Sequence, residues 1–467
     1  MPRLSRRSFL AASAGFGARP ALGAPPPARS GAIDVVIVGA GAAGISAARR
    51  LAAAGRHYVL IEAAGHLGGR CITETGTFGV PFDRGAHWIH LPDKNPVAKL
   101  TPGDGIEIYP APQSQKVRIG LRYAREGELE DFLAAQLRAT RAIDDAARKA
   151  DVACGRVLPG DLGDWQSTIA FVLGPFPYGR DLAQLSAADF AHAPERNADA
   201  FCRQGFGTLL ATRAAGLAVQ LSTPATAIDF SRNVEVQTPK GAIAARAAII
   251  TVSANVLAAG GIRFKPELSQ SVSEAFNMLS LGSYDHIALE FNGNPLGLES
   301  DDLVFEKSAD THTAAILGNV YGTSLCLIEV AGSFGRELSA QGQAAMVNFA
   351  GEWLAKFYGN QVIRAVRRAS ATRWNADPLA LGAMSAAKPG GHFARAVLAE
   401  PVHEAIWFAG DAVHETLWGT VGGAWESGER AADAVLRRLA GQRAPEVKER
   451  RPARKRRPIH HRGAPRF

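Results

Sequence analysis

The sequence predicts an α/β fold with two interleaved domains, and three observations carry this prediction. An apolar run at residues 35–38 enters a glycine-rich turn, which opens an alanine-rich helix and is followed by a second apolar run at 59–61. Late in the chain, an apolar run at 406–409 enters another glycine-rich stretch before a helical segment. The length of 467 residues is enough for two domains. Strand, turn and helix in this order indicate a Rossmann-like unit with a parallel sheet.

The first glycine-rich turn has the GxGxxG pattern of a dinucleotide-binding motif. Gly39 allows the tight strand-to-helix turn, Gly41 lets the backbone approach a pyrophosphate, and Gly44 lets the helix pack closely on the strand. Ala42 and Ala43 begin the helix, whose N-terminus faces the phosphates. These residues predict a bound dinucleotide.

An acidic residue follows at the distance that this motif requires. Glu62 ends the second apolar run, 18 residues beyond Gly44. A carboxylate at this place accepts hydrogen bonds from ribose hydroxyls and repels an additional 2'-phosphate. On these residues alone, FAD and NAD are both open as the dinucleotide.

Four further segments resemble the flavin amine oxidase family and occur in that family's order. They are Gly65–Arg70, Asp83–His90, Arg373–Ser385 and Phe408–Gly428. With the first motif they extend from about residue 33 to about residue 440, which is nearly the whole folded chain. The resemblance implies a two-domain, FAD-binding flavoprotein in which a Rossmann-like unit is interleaved with an α+β substrate-binding domain.

The resemblance also implies which residues contact FAD. Ala383 stands where some relatives attach flavin through a cysteine, so FAD is expected to be non-covalent. The glycine-rich turn after residue 410 is expected to direct helix N–H groups at the flavin pyrimidine ring. The full set of expected FAD contacts is Gly39, Gly41, Ala42, Ala43, Gly44, Glu62, Ala63, Gly68, Gly69, Arg70, Gly85, Ala86, His87, Trp88, Ala227, Trp374, Gly410, Asp411, Thr420, Val421 and Ala424.

The implied chemistry is hydride transfer from the carbon beside an amine nitrogen to flavin N5, which leaves an imine that water hydrolyses. His286 stands where the family has a lysine that holds a water beside N5. Histidine can bond the same water or accept a proton near neutral pH, and a purely structural role is the alternative. Met384 and Thr420 replace the two aromatic side chains that often enclose the substrate amine, which leaves Trp374 and Trp418 as candidates to line the cavity.

Two further histidines lie in the second matching segment. His90 resembles a histidine that faces the substrate tunnel in polyamine oxidases. If the segment is extended, alternation places His90 and Trp88 on one face, and His87 then points into the fold. We therefore expect His90 rather than His87 to face the substrate.

Each of the two domains is expected to be discontinuous. The FAD-binding domain is expected at residues 31–98, 203–258 and 396–440, and the substrate-binding domain at 99–202 and 262–395. In the second FAD segment we expect a helix opening at 204–207 and strands at 219–221, 226–228 and 248–252. Residues 99–202 are expected to be largely helical, with an amphipathic pattern from Glu126 to Asp151, and residues 262–395 to supply strands over a substrate cavity.

The chain begins with a pattern typical of export. Residues 1–30 contain the twin-arginine sequence Ser5–Leu10 and a plausible cleavage region at Ala21–Ala24, so we expect a periplasmic or secreted protein. No segment reaches the roughly 20 apolar residues of a transmembrane helix. The four cysteines form no C-x-x-C pair, so no metal site is predicted, and a single disulfide is open without a defined pairing.

The net charge of +8 is concentrated at the two ends. Residues 1–30 carry +5 and residues 443–467 carry +8, which leaves −5 for the body between them. An acidic body favours cationic substrates, whereas the basic tail is expected to be disordered. The tail lacks interleaved aromatic residues, so specific nucleic-acid binding is not predicted.

These observations predict an exported FAD-dependent amine oxidoreductase with a small-molecule amine substrate. Its electron acceptor is expected to be oxygen or a periplasmic carrier such as a cytochrome or quinone. An amino-acid oxidase, a C–C desaturase-like enzyme and a non-catalytic flavoprotein with a docking tail are the alternatives. A homodimer and a monomer are both open.

Overall fold

The computed structural model describes residues 32–99, 105–112, 115–193 and 198–442. The predicted signal peptide and the predicted basic tail both lie outside these ranges. Within them, none of the helices combines the length and the apolar character needed to cross a membrane.

The strands of the described residues are β1 (Ile33–Val38), β2 (Tyr58–Ile61), β3 (Thr73–Glu74), β4 (Phe82–Asp83), β5 (Ile89–His90), β6 (Ile108–Pro110), β7 (Gln115–Ile119), β8 (Arg122–Tyr123), β9 (Asp199–Cys202), β10 (Val219–Gln220), β11 (Ala227–Asp229), β12 (Val234–Thr238), β13 (Gly241–Ile250), β14 (Arg263–Lys265), β15 (Tyr284–Phe291), β16 (Asp302–Glu306), β17 (Ala315–Gly318), β18 (Leu325–Ala331), β19 (Val366–Ala371) and β20 (Ile406–Phe408).

The α-helices of the same residues are α1 (Ala42–Ala53), α2 (Pro96–Lys99), α3 (Glu126–Ala147), α4 (Gln166–Leu173), α5 (Pro175–Tyr178), α6 (Ala187–His192), α7 (Phe206–Arg213), α8 (Ala254–Ala258), α9 (Gln270–Met278), α10 (Gly332–Ala340), α11 (Gln343–Tyr358), α12 (Gln361–Ala365), α13 (Ala394–Ala399) and α14 (Val421–Leu439).

The predicted Rossmann-like unit is confirmed by a parallel sheet in the order β10-β2-β1-β13-β20. Val36 of β1 lies opposite Val59 of β2 on one side and Ala248 of β13 on the other. The central strand β1 is apolar and buried from Val35 to Val38 because both faces are covered there, as is usual for parallel strands. The carboxyl ends of these strands meet at one edge, where β1 enters the glycine-rich turn.

An antiparallel extension continues this sheet through β12, β11 and β14. The first half of β13 pairs with β12 and its second half pairs with β1 and β20. The strands expected at 219–221, 226–228 and 248–252 are present, but β13 begins much earlier, at Gly241. The first half of this strand consists of glycine, alanine and one isoleucine, so it lacks both the apolar–polar alternation and the strand-favouring side chains that predict a strand.

Helices α1 and α14 pack against each other on the parallel sheet. A Cβ at Gly428 of α14 would lie 2.1 Å from the carbonyl oxygen of Ala43, so only glycine allows this approach. The Ser46 hydroxyl donates a hydrogen bond of 2.8 Å to the carbonyl of Trp425. The helix expected to run toward Leu439 is thus present, and it holds the end of the described chain against the first motif.

A seven-stranded sheet in the order β19-β15-β18-β17-β16-β7-β8 forms the other half of the molecule. The strands expected within 262–395 are therefore present, with α11 packed on their apolar face. The expectation that residues 99–202 are largely helical was too simple, because β7 and β8 join this sheet at its edge. The predicted amphipathic helix is α3, which ends at Ala147 rather than Asp151.

A small sheet in the order β5-β9-β6 brings the second matching segment next to residues near 200. Ile89 pairs with Ala200, and His90 pairs with Asp199.

Candidate active site

A cavity of about 800 Å³ is lined by residues of both large sheets. One part of its wall comes from the glycine-rich turn, the end of β2 and the N-terminus of α14. Another part comes from β15, β16 and the segment after β4, and is largely apolar. We call the first part the nucleotide half and the second the substrate half.

The glycine-rich turn of the nucleotide half has the shape that a pyrophosphate requires. A Cβ at Gly39, whose φ is +106°, would lie 2.5 Å from Thr251 Oγ1, and a Cβ at Gly44 would lie 1.8 Å from the Gly39 carbonyl oxygen. A Cβ at Gly41, in contrast, would meet no described protein atom closer than 3.9 Å, because Gly41 borders the cavity. Among the described residues, no side chain caps the N-terminus of α1, so its first N–H groups are available to an anion.

Glu62 is fixed at the cavity wall by backbone donors. One of its carboxylate oxygens accepts a hydrogen bond of 2.7 Å from the Ala40 N–H, and the other accepts one of 2.8 Å from the Ala64 N–H. A carboxylate has about four acceptor sites, so acceptors remain for hydroxyl groups of a ribose. The glycine cradle, the uncapped helix and this carboxylate together fit a dinucleotide such as FAD.

Arg70 and Asp411 join two loops of the nucleotide half. The Arg70 guanidinium lies 2.7 Å from Asp411 Oδ1 and donates a hydrogen bond of 2.6 Å to the carbonyl of Ala383. Burial raises the pKa of Asp411, but the charge of Arg70 and hydrogen bonds outweigh it and leave the pKa lowered. The Ser385 N–H also donates to Asp411, at 2.9 Å. The pair therefore holds the loops that line the cavity.

Thr420 caps α14, whose N-terminus lines the nucleotide half of the cavity. Its hydroxyl accepts a hydrogen bond of 2.9 Å from the Gly423 N–H and donates one of 2.7 Å to the Leu417 carbonyl. The hydroxyl is therefore engaged as an N-cap, although Thr420 also lines the cavity next to Met384.

Most of the residues predicted to contact FAD line the cavity, and two do not. Gly44 packs against the turn itself, which is the role that the motif assigned to it. Ala227 is a correction: it lies in β11, in the antiparallel extension, whereas Pro224 and Ala225 form the wall nearby. The remaining members are Gly39, Gly41, Ala42, Ala43, Glu62, Ala63, Gly68, Gly69, Arg70, Gly85, Ala86, His87, Trp88, Trp374, Gly410, Asp411, Thr420, Val421 and Ala424.

His286 lines the cavity from β15 and is almost fully buried. Its Nδ1 lies 3.0 Å from the carbonyl oxygen of Asp83, so Nδ1 carries a proton and donates it to this bond. Its Nε2 lies 3.9 Å from Glu329 Oε1. Burial and the neighbouring charge of His87 lower the pKa of His286 to about 4. His286 is therefore a neutral imidazole at neutral pH.

Glu329 is a fully buried carboxylate that the sequence analysis missed. It lies on β18 directly opposite His286 on β15, and its Oε1 is 3.1 Å from His87 Nε2. Burial raises the pKa of Glu329, but the charge of His87 and further contacts outweigh it, so the pKa is lowered. Burial and the charge of Glu329 raise the pKa of the neighbouring Tyr284 hydroxyl. The signal in the sequence was a lone carboxylate within the apolar strand Leu325–Ala331.

His87 and His90 both border the cavity, at different depths. His87 is 2% exposed, and its ring centroid lies 4.9 Å from that of His286. His90 is partly exposed, and its Nδ1 lies 2.8 Å from Asp199 Oδ1. The sequence predicts that His90 rather than His87 faces the substrate. Both histidines line the cavity, so their positions do not distinguish the two.

The substrate half is shaped mainly by aromatic and aliphatic side chains. Trp374 is fixed by a hydrogen bond of 2.9 Å from its Nε1 to the Arg84 carbonyl. Trp418 is buried in the core against Tyr178, with ring centroids 4.9 Å apart, and is not part of the cavity wall. The apolar members of the wall in this half are Trp88, Val172, Phe176, Leu303, Phe305, Trp374 and Met384.

All four cysteines lie within the described residues, and each is buried as a free thiol. Cys71 lines the cavity behind the Gly68–Arg70 turn, and burial raises the pKa of its thiol well above the ordinary value. These thiols therefore act as small apolar side chains.

The chain matches two family models. Residues 136–436, well over half of the chain, match the flavin containing amine oxidoreductase family. Residues 37–100 match an NAD(P)-binding Rossmann-like domain.

Individual relatives agree with these matches. Polyamine oxidase 4 of Oryza sativa subsp. japonica is 27% identical over 88% of this chain and 90% of its own length. Lysine-specific histone demethylase 2 of Homo sapiens is 26% identical over 86% of this chain. The match covers only 53% of the demethylase, so this chain spans about half of the length of that relative. The solved structure of cyclohexylamine oxidase from Brevibacterium oxydans IH-35A has a TM-score of 0.72 at 20% identity, and the match covers 88% of this chain and 100% of that one.

These matches agree with the cavity in assigning FAD as the cofactor. The nucleotide half fits the dinucleotide, and the family match extends from the middle of α3 through most of α14. The chain belongs to the flavin containing amine oxidoreductase family.

Proposed function

We propose that this FAD-dependent amine oxidoreductase oxidises an amine with an apolar carbon body. The observation that carries the proposal is the largely apolar wall of the substrate half, where the carboxylate of Asp199 is already paired with His90. Apolar surface stabilises a hydrocarbon chain by about 25 cal/mol per Å² removed from water. A substrate with several charges would leave them without partners on this wall.

The residues of the substrate half supply positioning and a dry environment. Trp88, Phe176 and Met384 hold the carbon body, and Trp374 is kept in place by its bond to Arg84. His286 faces the cavity as a neutral imidazole, and its Nε2 lone pair accepts a hydrogen bond from the substrate nitrogen. The chemistry that bound FAD supplies is acceptance of a hydride from the carbon beside the amine nitrogen. The resulting imine is hydrolysed by water.

The wall also bears on the amino-acid oxidase alternative. Arg70 is the one arginine among the described lining residues, and its guanidinium is engaged by Asp411 and the Ala383 carbonyl. A substrate carboxylate would therefore compete with an existing ion pair. This favours an amine without a carboxylate over an amino acid.

A linear diamine or polyamine is the second candidate. The match to a polyamine oxidase over 90% of its length favours it, as does Asp199, which could receive a distal ammonium group. The two candidates differ in the charge that the far end of the cavity must accept.

The test is anaerobic mixing of the FAD-loaded protein with amines while the flavin absorbance at about 450 nm is followed. The panel contains cyclohexylamine, benzylamine and hexylamine, their diamine counterparts of equal length, and the corresponding amino acids. We expect the monoamines to bleach the flavin at least about tenfold faster than the diamines, a difference of about 1.4 kcal/mol. Faster bleaching by diamines would select the second candidate, and bleaching by amino acids alone would contradict both.

We further propose that the protein is exported by the twin-arginine route and that oxygen reoxidises its flavin. The sequence Ser5–Leu10 supports the route, which carries folded cargo and so suits a protein with an inserted cofactor. Stopped-flow mixing of the reduced protein with oxygen tests the acceptor. Very slow reoxidation would instead favour a cytochrome or quinone.

A further inference from the structure

We propose that the exposed imidazole of His66 is a pH-dependent cation for the pyrophosphate of FAD, so that the protein retains its cofactor more tightly at about pH 6 than at about pH 8. The proposal concerns cofactor binding and does not depend on which amine is oxidised. It assigns a role to a side chain that the GxGxxG motif does not include.

His66 lies in the loop that faces the glycine-rich turn. Gly68 of this loop pairs with Gly41 of the turn in a parallel bridge, and a Cβ at Gly41 would lie 3.9 Å from the Gly68 carbonyl oxygen. At the other end of the loop, the Ala64 N–H donates a hydrogen bond of 2.8 Å to Glu62, the expected ribose contact. His66 lies between these two fixed points along the chain and lines the same cavity.

The described cavity wall has more negative than positive side chains, although its cofactor is an anion. Arg70 is its one arginine, and it is already paired with Asp411. The carboxylates of the described wall are those of Glu62, Asp199, Asp377 and Asp411. Backbone N–H groups at the start of α1 offset part of the pyrophosphate charge. A cationic side chain beside the pyrophosphate offsets more of it.

Among the histidines of the described cavity wall, His66 is the one that has no acidic partner. The others lie within ion-pair distance of a carboxylate, and they are His87, His90 and His286. The Nδ1 of His66 lies 3.1 Å from the Leu67 carbonyl oxygen, so Nδ1 carries a proton in the neutral imidazole. Nε2 therefore gains the second proton as the pH falls, and the protonated Nε2 can donate to a phosphate oxygen.

The described contacts place three other charged groups at this loop. Glu62 precedes the loop and Arg70 ends it. Lys240 approaches from the turn between β12 and β13, where its Nζ donates a hydrogen bond of 2.7 Å to the Thr223 hydroxyl. Histidine is the side chain whose ordinary charge change falls between about pH 5 and 8, so His66 is the group of this loop that changes charge in that range.

Proton binding at His66 and FAD binding are therefore coupled. The negative pyrophosphate favours the imidazolium form, and the imidazolium form in turn favours bound FAD. The attraction is present when the imidazole is charged and is lost as the pH rises and the imidazole releases its proton. Since His66 is exposed, we expect a modest effect on FAD binding, of about three- to fivefold.

The experiment measures the release of FAD from the full-length FAD-bound protein at about pH 6 and about pH 8. The protein is diluted, and the rise in the fluorescence of free flavin gives the release rate. The ratio of the two rates in His66→Gln corrects for every other titrating group. Relative to that ratio, we expect the wild type to release FAD about three- to fivefold more slowly at the lower pH.

Two further measurements separate a charge effect from a structural one. His66→Arg carries a permanent positive charge, so it should release FAD slowly at both pH values. The ³¹P NMR signals of the bound pyrophosphate should shift with pH in the wild type and stay constant in His66→Gln. The matched control is His312→Gln, because His312 is exposed, lies 3.5 Å from Asp310 and is not part of the described cavity wall. This control should behave like the wild type.

The same pH ratio in His66→Gln and the wild type would overturn the proposal, as would a wild type that releases FAD relatively faster at the lower pH. If His66→Gln is purified without flavin, His66→Arg decides. The pH dependence of the wild type must then be absent from the arginine variant, and its persistence there would overturn the proposal. Amine oxidation is tested separately by flavin bleaching, so either result can fail without the other.

Discussion

Gly41 and Gly44 stand in the same turn, yet the structure requires them for different reasons. A Cβ at Gly44 would collide with the Gly39 carbonyl oxygen at 1.8 Å, which is a conflict within the protein. Gly41 has an extended backbone that alanine also adopts, and a Cβ there would enter the cavity. Gly44 is therefore required for folding, and Gly41 is required for ligand binding.

We expect Gly41→Ala to weaken FAD binding by about tenfold or more, because the added methyl occupies space beside the pyrophosphate. The free energy of unfolding of the FAD-free protein should change by less than about 0.5 kcal/mol. Gly44→Ala should cost about 1–3 kcal/mol in the same unfolding measurement and also reduce FAD binding. Flavin fluorescence titration and urea unfolding separate the two effects. Equal losses of stability in both variants would contradict this assignment.

The residues that the sequence predicted well are those whose role is set by their immediate neighbours. Gly39, Gly41 and Glu62 belong to a local motif, so spacing alone places them at the cavity. Glu329 owes its position in the site to its strand partner His286 and to His87 from a distant segment. No local sequence pattern contains these contacts. The prediction that Ala227 contacts FAD was wrong for a related reason. Its strand was predicted correctly, but the distance of that strand from the cavity depends on the packing of the whole sheet.

At the scale of elements, α14 depends on its N-cap. Thr420 accepts the Gly423 N–H at 2.9 Å, and the helix then packs along α1 through Gly428. The prediction of this helix succeeded because an apolar run, glycines and a helical pattern occur in sequence. The first half of β13 was missed because its glycine and alanine residues have low strand propensity and show no apolar–polar alternation.

Thr420→Ala should lower the free energy of unfolding by about 1 kcal/mol, because one N–H at the helix start loses its acceptor. Thr420→Ser keeps the hydroxyl and should stay within a few tenths of a kcal/mol of the wild type. Urea unfolding of the FAD-free proteins measures both. A loss as large in the serine variant would mean that the threonine methyl group, rather than the cap, is important.

At the scale of the whole molecule, a buried ion pair connects helices with the loop after β20. Arg395 of α13 lies 2.5 Å from Asp189 of α6 and also donates a hydrogen bond of 2.7 Å to the Ala412 carbonyl. His392 adds a contact of 3.0 Å to Asp189. The pair holds the segment beside Asp411 against the helical part of the chain.

Asp189→Asn should lower the free energy of unfolding by about 3–5 kcal/mol, because Arg395 stays buried without its counter-charge. Burial raises the pKa of Asp189, but His392 and Arg395 outweigh it and lower the pKa to about 2. The stabilisation is therefore complete above the unfolded-state pKa of about 3.9 and is lost as the pH falls toward 2. The difference between wild type and variant should be constant from about pH 5 to 8 and shrink below about pH 4.

The matched control is Asp145→Asn, which removes one partner of the exposed pair with Arg148. Exposed pairs contribute about 0–1 kcal/mol, so this variant should unfold almost like the wild type. A difference of the same size in both variants would contradict the buried pair as the cause.

The order of the parallel sheet has a consequence for biosynthesis. Its neighbouring strands β1, β13 and β20 come from the beginning, the middle and the end of the described chain. When the ribosome has made the glycine-rich turn, the strand that completes the sheet and the helix that caps the cavity have not yet been translated. Cofactor capture therefore waits for translation to reach α14, and a nascent chain cut short before residue 406 would leave the ribosome without a flavin site.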